Sequence, residues 1–123
     1  PADFTYLQVS AGLDHSLAVG SDGNAWAWGY NGSGDLGNNS SASSSSVPVR
    51  VRDPDSPGDA SKGLQAAQVS GGYHLSLAVG SDGNAYAWGY NYDGQLGDGS
   101  TNDKSVPVPV SFNLALVITG VRF

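Results

Sequence analysis

Residues 16–25 read SLAVGSDGNA, and residues 76–85 repeat that run without a change. The match extends on both sides: of the 29 positions from 9 to 37, 21 are identical to the residue 60 places later. A shorter run, Val47-Pro48-Val49, recurs at 106–108. Self-similarity at this spacing is typical of proteins that stack one supersecondary unit, such as propellers and solenoids. The chain is therefore interpreted as two copies of one structural repeat.

Turn residues divide each copy into short predicted strands. Those of the first copy lie at 4–10, 16–19, 25–30 and 47–51. Those of the second copy lie at 64–70, 76–79, 85–90 and 106–110. The Asp-Gly pairs at 22–23 and 82–83 favour hairpin turns, because these residues accept the positive φ that such turns need. Prolines in the fourth segment remove amide donors, so this segment is predicted to be an edge strand.

The third segment has one large face and one small face. Successive residues of a strand point to opposite sides, so Trp26 and Trp28 share one face while Ala25 and Ala27 share the other. Neither face is charged, and large groups of one sheet could fill the shallow face of the next. We therefore predict an all-β fold of stacked four-stranded sheets, as in the blades of a propeller, with the tryptophans in the core.

Composition argues against several classes of function. Lys and Arg number 5 against 11 Asp and Glu, a formal net charge of −6, so a nucleic-acid partner is not expected. No apolar run approaches the ~18 residues of a membrane span, and membrane insertion is not expected. There is no cysteine. The opening Pro1-Ala2-Asp3-Phe4 lacks the features of a signal peptide, so the chain is expected to be a fragment or a mature product.

The sequence lacks the common motifs of catalysis and of ligand binding. No serine lies in a Gly-x-Ser-x-Gly elbow, and residues 91–99 lack the alternating acids of a calcium loop. No phosphate-binding glycine loop precedes a helix. The protein is predicted not to be an enzyme, and neither a cofactor nor a metal is expected.

The spaced motifs resemble the repeats of the regulator of chromosome condensation family. The first copy has VSAGLDHSLA at 9–18, WAWGYN at 26–31 and GDLG at 34–37, and the second has AWGYNYDGQLGDG at 87–99. The resemblance covers most of the chain. The Ser-, Gly- and Pro-rich composition and the long insert are similar to those of the bacterial surface proteins of this family. The resemblance implies a seven-bladed β-propeller with four strands per blade. The family includes a nucleotide exchange factor for a small GTPase and a secreted β-lactamase inhibitor.

Two repeats are too few for a closed propeller of this type. Their large packing faces would stay uncovered, so we expect either part of a longer propeller or self-association of copies through the exposed blade faces. Residues 1–68 are assigned to the first repeat, with a Ser-rich connection at 40–46 and a Pro- and Asp-rich insert at 52–63. Residues 69–123 are assigned to the second repeat plus an apolar C-terminal strand that does not match a third copy.

A histidine changes place between the copies. His15 stands where the family has its histidine, whereas the second copy has Leu75 in that place and His74 one residue earlier. Each histidine is predicted to be structural, hydrogen-bonded to the backbone beneath its turn, because no second or third metal ligand repeats with it.

The eight differences within the aligned 29 positions fall mainly in two loops, at 11–15 and 32–35. A constant frame with differing loops is typical of a binding surface, although loop tips also vary without function. Predicted protein-binding residues are Leu13, Asp14, Tyr73, His74, Tyr92 and Asp93. The predicted function is non-catalytic protein interaction within a larger cell-surface or secreted protein, and the alternatives are an enzyme inhibitor or a purely structural stalk unit.

Overall fold

The computed structural model describes residues 3–111, which form two four-stranded antiparallel sheets. The first blade contains β1 (Tyr6–Ala11), β2 (His15–Gly20), β3 (Ala25–Tyr30) and β4 (Ser44–Arg50). The second blade contains β5 (Ala66–Gly71), β6 (Leu75–Gly80), β7 (Ala85–Gly89) and β8 (Lys104–Pro109). Strands lie in chain order within each sheet. The all-β prediction is confirmed, and no helix in the described part of the chain could cross a membrane.

One detail differs from the sequence-based expectation. β4 begins at Ser44, inside the serine run that was expected to be a flexible connection. β5 begins at Ala66, within the segment 64–70 that was predicted as a strand. The expected apolar C-terminal strand lies, from residue 112 onward, outside the described residues.

Each Asp-Gly pair closes a three-residue hairpin loop. The amide of Gly20 donates to the carbonyl of Asn24 (2.9 Å), and the amide of Gly23 donates to the carbonyl of Gly20 (2.9 Å). Gly23 has φ +83°, which an L side chain rarely adopts. Asp22 accepts the Asn24 amide at 3.0 Å and fixes the loop from the side. The same bonds recur in the second blade, so local sequence alone sets the register of these hairpins.

The hydrophobic core lies between the two blades. The small face of the first blade is closed by the large face of the second, as the alternation in β3 predicted. The residues of this core include Leu17, Val19, Ala25, Ala27, Val69, Ala78 and Trp88. Trp88 is fully buried, whereas Trp28, the same residue of the first repeat, is only half-buried. Full burial of a Leu or Val side chain, such as Leu17 or Val69, contributes about 1.5–3 kcal/mol.

Polar contacts also fix the first strand of the second blade against the first blade. The side-chain amide of Gln8 accepts from the backbone amide of Val69 (2.9 Å) and donates to its carbonyl (3.0 Å). The hydroxyl of Ser10 accepts from the amide of Gly71 (3.0 Å). These bonds hold β5 along β1, so the blades have one defined relative position.

The insert at 52–63 forms consecutive turns rather than a strand. Amides of Ser56, Asp59 and Lys62 each donate to the carbonyl three residues earlier. The guanidinium groups of Arg50 and Arg52 donate to the carbonyls of Ala60 (2.9 Å) and Pro57 (2.6 Å). The insert thus returns to the end of β4 and leads into β5.

Candidate protein-binding edge

One edge of the paired blades carries the loops in which most of the aligned differences between the two repeats fall. In a sheet whose antiparallel strands lie in chain order, alternate turns fall at the same end. This "loop edge" comprises residues 12–14, 31–43, 72–74 and 90–103. The amide of Leu13 donates to the carbonyl of Gly72 across the blades at 3.2 Å, so the two short turns lie side by side.

Aromatic rings cluster where those turns meet. The ring centroid of His74 lies 4.4 Å from that of Tyr73 and 4.9 Å from that of Tyr30. Tyr73 is 64% exposed and neighbouring Leu13 is 54% exposed. We call Tyr30, Tyr73 and His74 the Tyr–His cluster. Large side chains with polar tips, held at an exposed position, are typical of protein interfaces.

The backbone at His74 is strained. Its φ is +54°, in the left-handed region that is uncommon for residues with a side chain. The carbonyl of His74 accepts from the amide of Tyr90 at 2.8 Å, and Gly89 packs against that carbonyl so closely that a Cβ would lie 2.5 Å from it. The surrounding sheet therefore maintains a conformation that costs about 1–3 kcal/mol, a feature that tends to mark functional positions.

His15 lies in a buried network between the blades. Its Nε2 lies 2.9 Å from the hydroxyl of Ser76. That hydroxyl donates to the carbonyl of Asp35 at 2.8 Å, so Nε2 must carry the proton and donate. The indole of Trp88 donates to the same carbonyl at 2.9 Å. The network ties the 31–43 loop to the second blade.

The carboxylate of Asp35 lies beneath the Tyr–His cluster, and sequence reasoning did not identify it. It is fully buried, and its Oδ1 accepts from the amide of Ser33 at 3.1 Å. Its Oδ2 lies 3.6 Å from Nδ1 of His15 and 3.5 Å from Nδ1 of His74. The only sequence signal was the replacement of Asp35 by Gln95 in the second copy. Among residues 3–111, no three His, Asp or Glu side chains are arranged to hold a metal ion.

The buried imidazole makes stability depend on pH. Burial lowers the pKa of His15 from 6.5, although the nearby Asp35 carboxylate opposes this. Near and below pH 6.5 the unfolded chain binds more protons than the folded protein, so the free energy of unfolding falls as the pH drops through this range. Urea denaturation should show this loss, and the variant His15→Gln should show a flatter slope. An unchanged slope in the variant would contradict the assignment.

The carboxylate of Asp98 contributes to stability in a lower pH range than the imidazole. Partial burial opposes ionisation of Asp98, but bonds from the Ser100 amide and hydroxyl and from the Lys104 ammonium lower its pKa to about 2. The ammonium lies 3.2 Å from the carboxylate. Stability from this group is present at neutral pH and is lost as the pH falls from about 4 toward 2.

The six predicted binding residues fall into two neighbouring groups. Leu13, Asp14, Tyr73 and His74 meet at the two short turns, where the carbonyl of Asp14 accepts from the amide of Tyr30 at 2.9 Å. Tyr92 and Asp93 lie in the next loop of the same edge. Tyr92 is 72% exposed and stacks on Tyr90 at 6.4 Å. The structure thus places all six on one edge, while their role in binding stays a prediction.

Comparison with protein families agrees with this architecture. A model described as the regulator of chromosome condensation (RCC1) repeat matches residues 22–79 and 82–122, and a second model of the same repeat matches 7–35 and 66–95. The chain belongs to the RCC1 repeat family. Its two sheets are therefore two blades of a β-propeller, and the family resemblance seen in the sequence is confirmed.

Similar proteins share short segments or the fold with this RCC1-repeat chain. The ultraviolet-B receptor UVR8 of Arabidopsis thaliana is 46% identical over 46 residues, which cover 37% of this chain and 10% of that protein. The crystal structure of human WBSCR16 matches 91% of the chain with 32% identity and a TM-score of 0.72. That of Prp20p from Saccharomyces cerevisiae matches 93% with 22% identity and a TM-score of 0.78. The chain spans 27% of each of these two solved proteins.

Proposed function

We propose that this two-blade unit is a non-catalytic protein-binding module that engages its partner through the loop edge. The observation that carries the proposal is the Tyr–His cluster, with Tyr73 exposed beside Leu13 and His74 held in a strained conformation. Rigid strands on both sides fix these groups. Rings that are already ordered lose little conformational entropy on binding, so such groups suit the centre of an interface.

The surroundings of the cluster favour a protein partner. Leu13 and Tyr92 extend the exposed apolar area along the edge, and the carboxylates of Asp14 and Asp93 border it. An apolar centre with a charged rim is the ordinary anatomy of a protein interface. Because the rim groups named here are acidic, we expect a partner surface with basic residues around an apolar patch.

Protein binding is also a use of this fold elsewhere. The yeast structure Prp20p is described with its binding properties to Gsp1p and histones, and it was also solved with Kap60. At 22% identity the likeness shows the fold alone, so those partners are not assigned to this chain. They support only the coarser proposal that blades of this type present a protein-binding surface.

The test is substitution of the exposed edge residues in the whole chain. The variants Tyr73→Ala and Tyr92→Ala should each weaken binding to a captured partner by about tenfold or more, which corresponds to ~1.4 kcal/mol. Val47→Ala is the matched control, because Val47 is an exposed apolar residue of edge strand β4 outside the loop edge. Binding that is unchanged in both tyrosine variants would reject the proposal.

The finer predictions from the sequence stay proposals. An inhibitor role predicts that the chain lowers β-lactamase activity and that Tyr73→Ala removes this effect. A purely structural stalk unit predicts that every edge variant behaves as the wild type. Location at a cell surface or outside the cell is a further proposal, and so is self-association through the blade faces. Self-association predicts a solution mass that is a multiple of 12.5 kDa.

A further inference from the structure

Five Asp or Asn residues of the chain are followed directly by glycine, and all five lie among the described residues. The aspartates are at 22, 82, 93 and 98, and the asparagine is at 31. In such a pair the amide nitrogen of the glycine can attack the side-chain carbonyl carbon, because glycine has no Cβ to hinder the approach. The product is a five-membered succinimide, and its hydrolysis leaves an isoaspartyl link. The contacts of each side chain decide whether it can reach that geometry.

The two hairpin aspartates are held by their own turns. The carboxylate of Asp22 accepts from the backbone amide (3.0 Å) and the side chain (2.9 Å) of Asn24, and from the indole of Trp26 at 3.3 Å. Asp82 accepts from the hydroxyl of Tyr86 at 2.7 Å. This bond lowers the pKa of Asp82. The neutral carboxylic acid, which is the form that can lose water, is therefore scarce at this position.

Asn31-Gly32 is the pair that the sequence alone would favour, because a neutral carboxamide is attacked more readily than an ionised carboxylate. Both ends of that carboxamide are held in the structure. Its nitrogen donates to the carbonyls of Ser40 (3.1 Å) and Ala42 (2.8 Å). Its oxygen accepts from the amide of Leu36 at 3.0 Å. Asn31 is buried, so rotation toward the amide of Gly32 would break three hydrogen bonds.

Asp93 differs from the other four residues in the freedom of its side chain. At Asp98 the carboxylate accepts from the amide (3.0 Å) and the hydroxyl (2.9 Å) of Ser100, and the ammonium of Lys104 lies 3.2 Å away. Asp93 is exposed, and its carboxylate accepts no hydrogen bond from any other residue between 3 and 111. The side chain can therefore turn toward the amide of Gly94 without loss of a protein contact.

We propose that Asp93 is the position at which this chain forms isoaspartate, ahead of the other four pairs. The Gly94 nitrogen bonds to Cγ of the neutral Asp93 acid, and the side-chain hydroxyl leaves as water with the amide proton. Water then cleaves the bond from that nitrogen to the α-carbonyl carbon, so the net mass is unchanged. The Gly94 amide must first leave the carbonyl of Asn91 (3.0 Å). The equivalent bonds at Gly23 and Gly83 are 2.9 Å long, so this step does not distinguish the pairs.

The link would form within the loop edge, beside the exposed Tyr92. It adds one carbon atom to the backbone at position 93 and leaves the carboxylate on Cα. The turn from Asn91 to Gly94 cannot keep its geometry with this extra atom, so the ring of Tyr92 should lose its place on Tyr90. A resulting loss of partner binding rests on the proposed function, whereas formation of the link does not.

Peptide mapping of the whole folded chain after prolonged incubation near neutral pH tests the proposal. Electron-transfer fragmentation distinguishes the two links at equal mass. We expect isoaspartate at Asp93 to exceed that at each other glycine-followed position by about tenfold or more, as expected if releasing a held side chain costs ~1.4 kcal/mol. Asp93→Glu is the matched control, because it keeps the charge but cannot close a five-membered ring. It should remove this signal and leave the others unchanged.

The same chain unfolded in guanidinium chloride supplies the second measurement. The four Asp-Gly pairs should then react at similar rates, and Asn31 should react faster than all of them, since the fold no longer holds any side chain. Equal amounts at the four aspartates of the folded chain, or a larger amount at Asn31, would overturn the proposal. A folded chain without isoaspartate at 93, over a time in which the unfolded chain forms it, would overturn it too. So would a preference for Asp93 that persists unchanged in denaturant.

Discussion

Replacement of Trp88 by alanine is expected to lower the free energy of unfolding by about 3–5 kcal/mol, the range for large aromatic residues in a core. The side chain is fully buried between the blades. Its loss would leave a cavity and would also remove the indole donor to the carbonyl of Asp35. Urea denaturation followed by circular dichroism measures the loss, because tryptophan fluorescence would change with the substitution itself.

The chain contains its own control for that experiment. Trp28 occupies the same place in the same motif, but it is only half-buried on the outer face of the first blade. Trp28→Ala should therefore cost clearly less, provided that the protein concentration keeps the chain monomeric. Equal losses for the two variants would show that the interface between the blades does not provide the stability assigned to it here.

Replacement of Gly71 by alanine is expected to lower the free energy of unfolding by about 1–3 kcal/mol through overpacking. Gly71 does not have a positive φ, so alanine can adopt its backbone conformation. The added methyl would nevertheless meet the backbone of Ala11 and Gly12 at 2.6–2.9 Å. The blades would have to separate, and the bond from the Gly71 amide to Ser10 would lengthen.

Gly72→Ala is the adjacent control. A Cβ at Gly72 would meet only the side chain of Leu75, at 3.3 Å, which can move by a few tenths of an ångström. This variant should remain close to the wild type in a urea titration. If both variants unfold at the same denaturant concentration, close backbone contact between the blades is not what requires glycine at position 71.

The local signals in the sequence were sufficient for the fold within one blade. The Asp22-Gly23 pair sets a hairpin through a φ of +83°, and the alternation around Trp26 and Trp28 gives the two faces of β3. Both are short-range effects, governed by residues two or three places apart. The serine run misled because Ser44 pairs with Tyr30 across the sheet, a contact that composition does not encode.

The sequence by itself determined the repeat, the eight strands of residues 3–111, and the loops in which the copies differ. Only the tertiary structure showed that Asp35 lies between His15 and His74, and that His74 joins Tyr30 and Tyr73. Asp35 and the two histidines are 20 to 59 positions apart, and Tyr30 is 44 positions from His74. Their meeting depends on how one blade packs on the other. Hairpins follow from local backbone geometry, whereas contacts between blades follow from the complementary shapes of two whole sheets.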